Sequence, residues 1–205
     1  GAPITISLLL IGLGIYNILF FVSKFGDVAA AGYGVALRIE QLLLLPTIGL
    51  NTAVLSITGQ NFGAKEYKRI GDVYFKAINY GACLMVLAGI FVFFGGNLLV
   101  QLFTNDPDVV NYGVKYLKIA ALIGPVYPIF FITNAFFQGI KKPIYSTYIN
   151  LLRIVVLPFI TMWVMLNYFQ GDFEDLFLGL LTINWIFGIS VLMLVKYVFL
   201  KKLTN

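Results

Sequence analysis

Arg38 and Glu40 stand two positions apart inside a hydrophobic helix that the spacing predicts from Tyr33 to Gln60, with Pro46 near its middle and basic Lys65, Lys68 and Arg69 beyond it. At a rise of ~1.5 Å per residue this helix is roughly 40 Å long, enough to cross the ~30 Å hydrocarbon layer of a bilayer. A charge at its centre costs about 2.5–3.5 kcal/mol even on a lenient insertion scale, so charge at that depth faces other protein or a wet cavity. With each residue rotated by about 100° from the last, Glu40, Thr47, Asn51 and Thr58 fall within roughly 20° of one line. Arg38 and Ser56 share a second line about 160° away, with Gln41 and Thr52 between. A carboxylate, two hydroxyls and an amide on one face, with Leu43, Leu44 and Leu50 elsewhere, give one wet side and one side for lipid or packing. Pro46 removes a backbone hydrogen bond and kinks the helix, and the carbonyl it frees must be buried or line a cavity.

Two readings of Glu40 stand side by side. One is a membrane carboxylate that takes up a proton or helps to hold a cationic compound; the other is a structural ion pair with Arg38 or Arg153. Positions 38 and 40 do not share a helix face, so pairing with Arg38 needs distortion, whereas Arg153 on another helix is free to reach. Tyr127, Asn134 and Gln138 have helical spacing, with Phe130 and Phe131 nearby. An aromatic and amide surface suits flat cations through stacking and cation–π contact, and interhelical packing and hydrogen bonding account for the same residues without a ligand. Asn17, the one amide of the first apolar stretch, reads as an interhelical anchor or as part of the same pathway.

Composition sets the class. Of 205 residues 60% are hydrophobic and 11% charged, with mean hydropathy +0.92. A water-soluble core of this size cannot hide that much apolar surface, so the chain reads as an all-α integral membrane protein. Its apolar runs are helix-length without strict alternation, which excludes a transmembrane barrel. The net charge of +5 comes from basic residues between apolar spans, which is the pattern of cytoplasmic loops and not of a nucleic-acid surface. The single cysteine, Cys83, lies in an apolar stretch and reads as a small buried hydrophobe. No histidine is present, which removes His-ligated zinc and His-based triads; no metal site and no cofactor are expected. The opening on Gly1, with an apolar stretch at once and no basic leader, reads as the continuation of a longer chain.

Six spans are expected, over 3–23, 30–61, 73–95, 108–138, 144–166 and 176–195, in one six-helix domain covering 1–205. Gly12 and Gly14 permit close packing of the first. Gly63 reads as a helix stop, and Asn105-Asp106-Pro107-Asp108 as an N-cap launching the fourth helix, with Lys115 and Lys118 snorkelling near its start. Pro125 and Pro128 bend that helix, as Pro46 bends the second and Pro158 the fifth.

The residues also resemble a known family. The run Tyr33-Gly34-Val35-Ala36-Leu37-Arg38-Ile39-Glu40-Gln41, then Pro46, Gly49-Leu50-Asn51 and Gly59-Gln60-Asn61-Phe62-Gly63-Ala64, is similar to the second helix of the C-terminal lobe of multidrug and toxic compound extrusion (MATE) transporters. Phe137-Gln138-Gly139-Ile140-Lys141-Lys142-Pro143, with Arg153 and Leu157-Pro158, resembles the fourth-to-fifth helix region of that lobe. The likeness covers essentially the whole chain, the first stretch being the more specific. It implies one six-helix lobe of a two-lobe, pseudo-symmetric antiporter in the prokaryotic cytoplasmic membrane. Such an antiporter exports cationic amphipathic drugs in exchange for Na+ or H+ by alternating access, and its partner here is a missing N-terminal lobe. Arg38, Glu40 and Gln41 match the family's charged second-helix motif, and Asn51 its polar continuation. Some relatives place coupling carboxylates in the first and fourth helices of this lobe. Here the first has no acid and the fourth has only Tyr127, Asn134 and Gln138 in its inner half, so the coupling site is either Glu40 or in the absent lobe, the latter favoured.

Three other functions compete. A lipid-linked saccharide flippase of the same superfamily would show more basic residues in its cavity than Arg38 and Arg153. An intramembrane enzyme would need a histidine, a paired acid cluster or an activated nucleophile at depth, and Glu40 alone is thin support. A non-transporting membrane subunit is the third.

Charge placement gives an orientation. Lys65, Lys68, Arg69, Lys141, Lys142, Lys196, Lys201 and Lys202 occupy the second and fourth connections and the C-terminal end. Asp27, Asp106, Asp108, Asp172, Glu174 and Asp175 occupy the first, third and fifth, with Lys24 opposing. The basic set is expected in the cytoplasm, with both ends of the chain there. A cysteine introduced at Asp172 should react with an impermeant label from outside; reaction from the cytoplasmic side alone rules this orientation out.

Overall fold

A computed structural model describes residues 2–201, with side chains from Leu9 onward; Lys202, counted above in the basic set, lies outside the described residues. The described residues form six helical rods and no strand. The first is α1 (Ala2–Val22), closed by a 3-10 turn, Ser23–Phe25. The second is α2 (Asp27–Leu43) with α3 (Leu45–Gly63), bent by 43°. The third is α4 (Tyr67–Gln101). The fourth joins α5 (Pro107–Ile123) to α6 (Tyr127–Gly139) through a 3-10 turn, Gly124–Val126. The fifth runs from α7 (Pro143–Asn150) through a π-helical segment, Leu151–Val156, into α8 (Leu157–Asn167). The sixth is α9 (Phe173–Leu194) with a π-helical end, Val195–Leu200. By length and apolarity Tyr67–Gln101, Pro107–Gly139, Pro143–Asn167 and Phe173–Leu200 can each cross a membrane, and the bent α2–α3 pair is a fifth; the apolar stretch Leu9–Phe25 is shorter. The protein is a multi-pass membrane bundle.

Helix ends follow local chemistry. Asp106 caps α5 by accepting from the Asp108 and Val109 N–H groups at 2.9 and 3.3 Å, with Pro107 in the first turn. Asp172 accepts from Glu174 and Asp175 while the Asp175 carboxylate takes the Asp172 N–H, a capping box that the sequence reading treats only as an acidic connection. α3 ends at Gly63, but the left-handed residue of that turn is Lys65, at φ 61°.

The prolines break the rods, and in hydrocarbon each freed carbonyl must be answered or shielded. At Pro46 the Leu44 N–H is shared between the Glu40 and Leu42 carbonyls. At Pro128 the Tyr127 N–H reaches the Gly124 carbonyl. Pro125 leaves Ala121 without its helical donor; Gly89 packs so near that a methyl there would stand 2.8 Å from the Ala121 oxygen. Trp185 Nε1 donates to the neighbouring Leu122 carbonyl at 3.0 Å. Pro158 does the same to Ile154, whose oxygen would lie 2.8 Å from a methyl on Gly14, whereas Gly12 has nothing within 4 Å.

The fourth rod is the axis of the bundle: 67% of its apolar window is buried, against 22%, 11% and 28% for Tyr67–Gln101, Pro143–Asn167 and Phe173–Leu200. Tyr74 is clasped to Thr133 through a buried 2.8 Å hydroxyl–hydroxyl bond, joining α4 to α6. Large apolar side chains such as Leu87, Phe91 and Phe94 are exposed on α4, as lipid-facing residues should be. Cys83 shares that exposure, contrary to the sequence expectation: it lies on the outer face of α4, while Gly81 in the same turn packs on Pro128 of the central rod.

The charged connections segregate as their signs suggest. At one end Lys142 lies over the Phe199 ring, which also contacts Phe137 and Tyr145. At the other, Lys115 pairs with Glu174 at 2.7 Å, and Phe173 meets both Phe25 and Tyr112.

Gly32 sets the approach of α2 to α5. A methyl there would stand 2.7 Å from Tyr112 Cβ, 2.8 Å from the Val109 oxygen and 2.9 Å from the Gly113 nitrogen, and two of these are backbone atoms that cannot rotate away. Gly32→Ala is expected to destabilise the bundle by about 1–3 kcal/mol, read as a lower unfolding temperature in detergent; Gly34→Ala, with nothing within 4 Å, should leave it unchanged.

Candidate functional site

Glu40 lies in the last turn of α2 before the elbow at Leu44, and it is 7% exposed. Tyr116 on α5 donates its hydroxyl to Glu40 Oε2, and Tyr127, the first residue of α6, donates to Oε1 at 2.7 Å. Both carboxylate oxygens are therefore engaged by phenols from the two halves of the central rod. Tyr116 is itself held by rings: Tyr33 meets it edge-on at 4.9 Å and Phe177 at 4.7 Å. No ion pair within 4.0 Å joins Glu40 to either arginine. Each of the two readings thus receives part of its answer: the carboxylate is satisfied locally, by hydroxyls.

Glu40 borders a cleft of about 1920 Å³, including its open mouth, that runs between the first, second, fourth, fifth and sixth rods. Gln41, Asn51, Tyr127, Asn134, Gln138 and Arg153 line the same cleft. Arg153 projects from the π-helical segment, with its guanidinium carbon 4.7 Å from the centre of the Tyr127 ring and 4.2 Å from that of Phe130. Gln138 donates to Asn134 at 3.0 Å. Behind Glu40, on its other side, is a small apolar pocket walled by Leu43, Met85, Val92, Leu117 and Gly124. The carboxylate thus borders both the large cleft and the small apolar pocket.

Other candidates lie elsewhere. Arg38 is exposed and off the cleft, as its helical phase relative to Glu40 requires. Asn17 is spent on an interhelical bond, its Nδ2 donating to the Val155 carbonyl of the π-helical segment at 3.1 Å. Thr47 is fully buried and Thr58 nearly so, both with hydroxyls that have no hydrogen-bond partner. Neither lines the cleft, although Asn51 on the same helix does; Thr58 packs on Gly139 of α6. Sequence reasoning missed Tyr33, Tyr116, Asn150 and Asn184, all on the cleft. Tyr116 had a signal: Tyr127 follows it by about three helical turns on one rod.

Chemically the wall offers one carboxylate, one guanidinium, phenols, amides and phenylalanine faces. Among the described residues no group of three His, Cys, Asp or Glu side chains can hold a metal ion. This composition suits reversible binding of a proton, a cation or a polar aromatic solute.

Known proteins share the sequence pattern and the fold. The MatE family model matches residues 3–164. The probable multidrug resistance protein YpnP of Bacillus subtilis (strain 168) is 29% identical over 174 residues, which is 85% of this chain and 37% of that protein. An FAD transporter of Shewanella oneidensis is 26% identical over 163 residues, 79% of this chain and 35% of the other. A solved outward-facing multidrug resistance MATE family transporter of the MOP superfamily superposes with a TM-score of 0.95 at 20% identity, covering 100% of this chain and 46% of that one, so the fold is shared. The chain spans little more than a third of the length of those curated relatives. With its match over residues 3–164 and its six-rod helical architecture, the chain belongs to the MatE family.

Proposed function

We propose that this chain is the C-terminal lobe of a secondary active multidrug exporter that expels amphipathic aromatic compounds, cationic drugs among them, in exchange for Na+ or H+. The observation that carries the reading is Glu40: a carboxylate held in the membrane interior by two phenol donors, without an ion-pair partner, on the wall of a cleft open to a solute. Charge at that depth is expensive and is kept where it is used. Membership of a family whose relatives include multidrug resistance proteins supports it.

In this reading alternating access rocks the chain against an N-terminal lobe that completes the cleft, within the bilayer of a prokaryotic cytoplasmic membrane, with the basic end of the bundle inside. Protonation of Glu40 would turn its oxygen from acceptor to donor towards one tyrosine and remove the negative charge that holds a cation. That gives one carboxylate two exclusive occupants, the requirement for exchange. Coupling sits at Glu40 or in the other lobe. A lipid-linked saccharide flippase is less favoured, because Arg153 is the one basic side chain on this cleft and Arg38 lies outside it. A non-transporting subunit would leave the cleft without a use.

The experiment is efflux of a fluorescent cation from proteoliposomes holding this segment joined to its upstream sequence, driven by imposed Na+ or H+ gradients. Gradient-dependent efflux is expected, and Glu40→Gln should reduce it by about tenfold or more at normal expression. Full efflux in Glu40→Gln makes Glu40 structural and moves coupling to the other lobe. Tyr116→Phe and Tyr127→Phe each strand one carboxylate oxygen and are expected to cost about 1–3 kcal/mol of stability. Both penalties should shrink when combined with Glu40→Gln, as measured by double-mutant cycles on thermal unfolding.

A further inference from the structure

Glu40 and Arg153 are the two charged side chains on the cleft wall, and they are not equally free. Both Glu40 oxygens are taken by phenols. Arg153 has no carboxylate within 4.0 Å; the Tyr127 hydroxyl bonds it, the Glu40 charge is near enough to act on it, and its plane lies by the Tyr127 and Phe130 rings. Aromatic faces engage the flat face of a guanidinium and do not consume its in-plane N–H fork, which matches the paired oxygens of a carboxylate or phosphate. With five N–H donors and one hydroxyl contact, the guanidinium keeps N–H groups that a ligand oxyanion can accept.

From this geometry, and resting on the exporter reading, we infer that the cleft takes aromatic amphiphiles bearing an oxyanion, carboxylate or phosphate, and that Arg153 is the residue that holds it. Phe131, half-buried on the cleft wall, supplies the platform for the ring, and Asn150, one helical turn before Arg153 on the same rod, stands on the same wall with an amide donor. The guanidinium is pre-positioned. The π-helical segment that presents it is fastened from behind by Asn17, which donates to Val155, and by Gly14 against Ile154.

The oxyanion could belong to a soluble amphiphile or to a lipid headgroup, and depth decides between them. Arg153 lies well inside the span Pro143–Asn167, about 15 Å from its nearer end at 1.5 Å per residue, below the headgroup layer. The soluble amphiphile is the occupant.

The test uses the full chain, this segment with its upstream sequence, in phosphatidylcholine vesicles, and two xanthene dyes that share a ring system: fluorescein, which is anionic, and rhodamine 6G, which is cationic and has no free carboxylate. Wild type is expected to bind fluorescein saturably and to release it to phenyl phosphate but not to benzyl alcohol. Arg153→Gln should weaken fluorescein about tenfold or more while changing rhodamine 6G by less than about twofold, and Arg153→Lys should recover part of the loss. Should the glutamine variant fail to fold, the wild-type competition and the lysine variant decide. Absence of fluorescein binding in wild type, equal loss of both dyes in the lysine variant, or displacement of fluorescein by added phosphatidylglycerol overturns the inference. Binding of fluorescein without gradient-driven movement of either dye sinks the exporter reading and leaves the Arg153 site standing. Gradient-driven movement of rhodamine 6G alone does the reverse.

Discussion

Hydrocarbon offers no water to a polar group, so every donor, acceptor and charge in this bundle must be met by protein or by a cavity. Glu40 is where that constraint presses hardest. Its two oxygens take one hydroxyl each from Tyr116 and Tyr127, and those tyrosines stand on either side of the Gly124–Val126 turn in the central rod. One carboxylate therefore ties α2 to both halves of the most buried helix. The rings around Tyr116, from Tyr33 and Phe177, complete the wall on which it rests. The same constraint shapes the backbone: prolines break the rods, and glycines, an indole N–H or a neighbouring amide close over the exposed carbonyls.

Much of this was legible beforehand, and the reasons are physical. Apolar runs of helix length give the rods, proline gives their breaks, and the cost of burying charge marks Arg38, Glu40 and Arg153, of which Glu40 and Arg153 line the cleft and Arg38 does not. The N-cap at Asp106 followed from the Asn-Asp-Pro-Asp order alone. What failed were inferences that depend on three-dimensional phase. Thr47 and Thr58 share a projected line with Asn51, yet only Asn51 lines the cleft; both threonines are buried, and Thr58 packs on Gly139 of α6. Tyr116 was hidden among many aromatics, since no composition marks one phenol as the partner of a distant acid. The setting of Arg153 depends on a π-helical segment, for which helix propensity carries no signal.

The relatives and the solved structure that share this family and fold are longer than this chain. The cleft lies along the side of the bundle and its walls carry polar side chains that lipid would not tolerate, among them Gln41, Asn51 and Asn150. Glu40 also lines the apolar pocket beside Gly89 and Gly124, so one carboxylate borders both spaces.

The elbow at Leu44 divides the second rod into parts attached by different means. Above it, Glu40 bolts α2 to the axis with directional bonds. Below it, no side-chain hydrogen bond among the described residues crosses between α3 and α6; the seam is a fit of shapes, Thr58 against Gly139, with two hydroxyls that bond nothing. The two halves of the second rod are thus fixed by different physics, directional bonds before the elbow and close-packed surfaces after it.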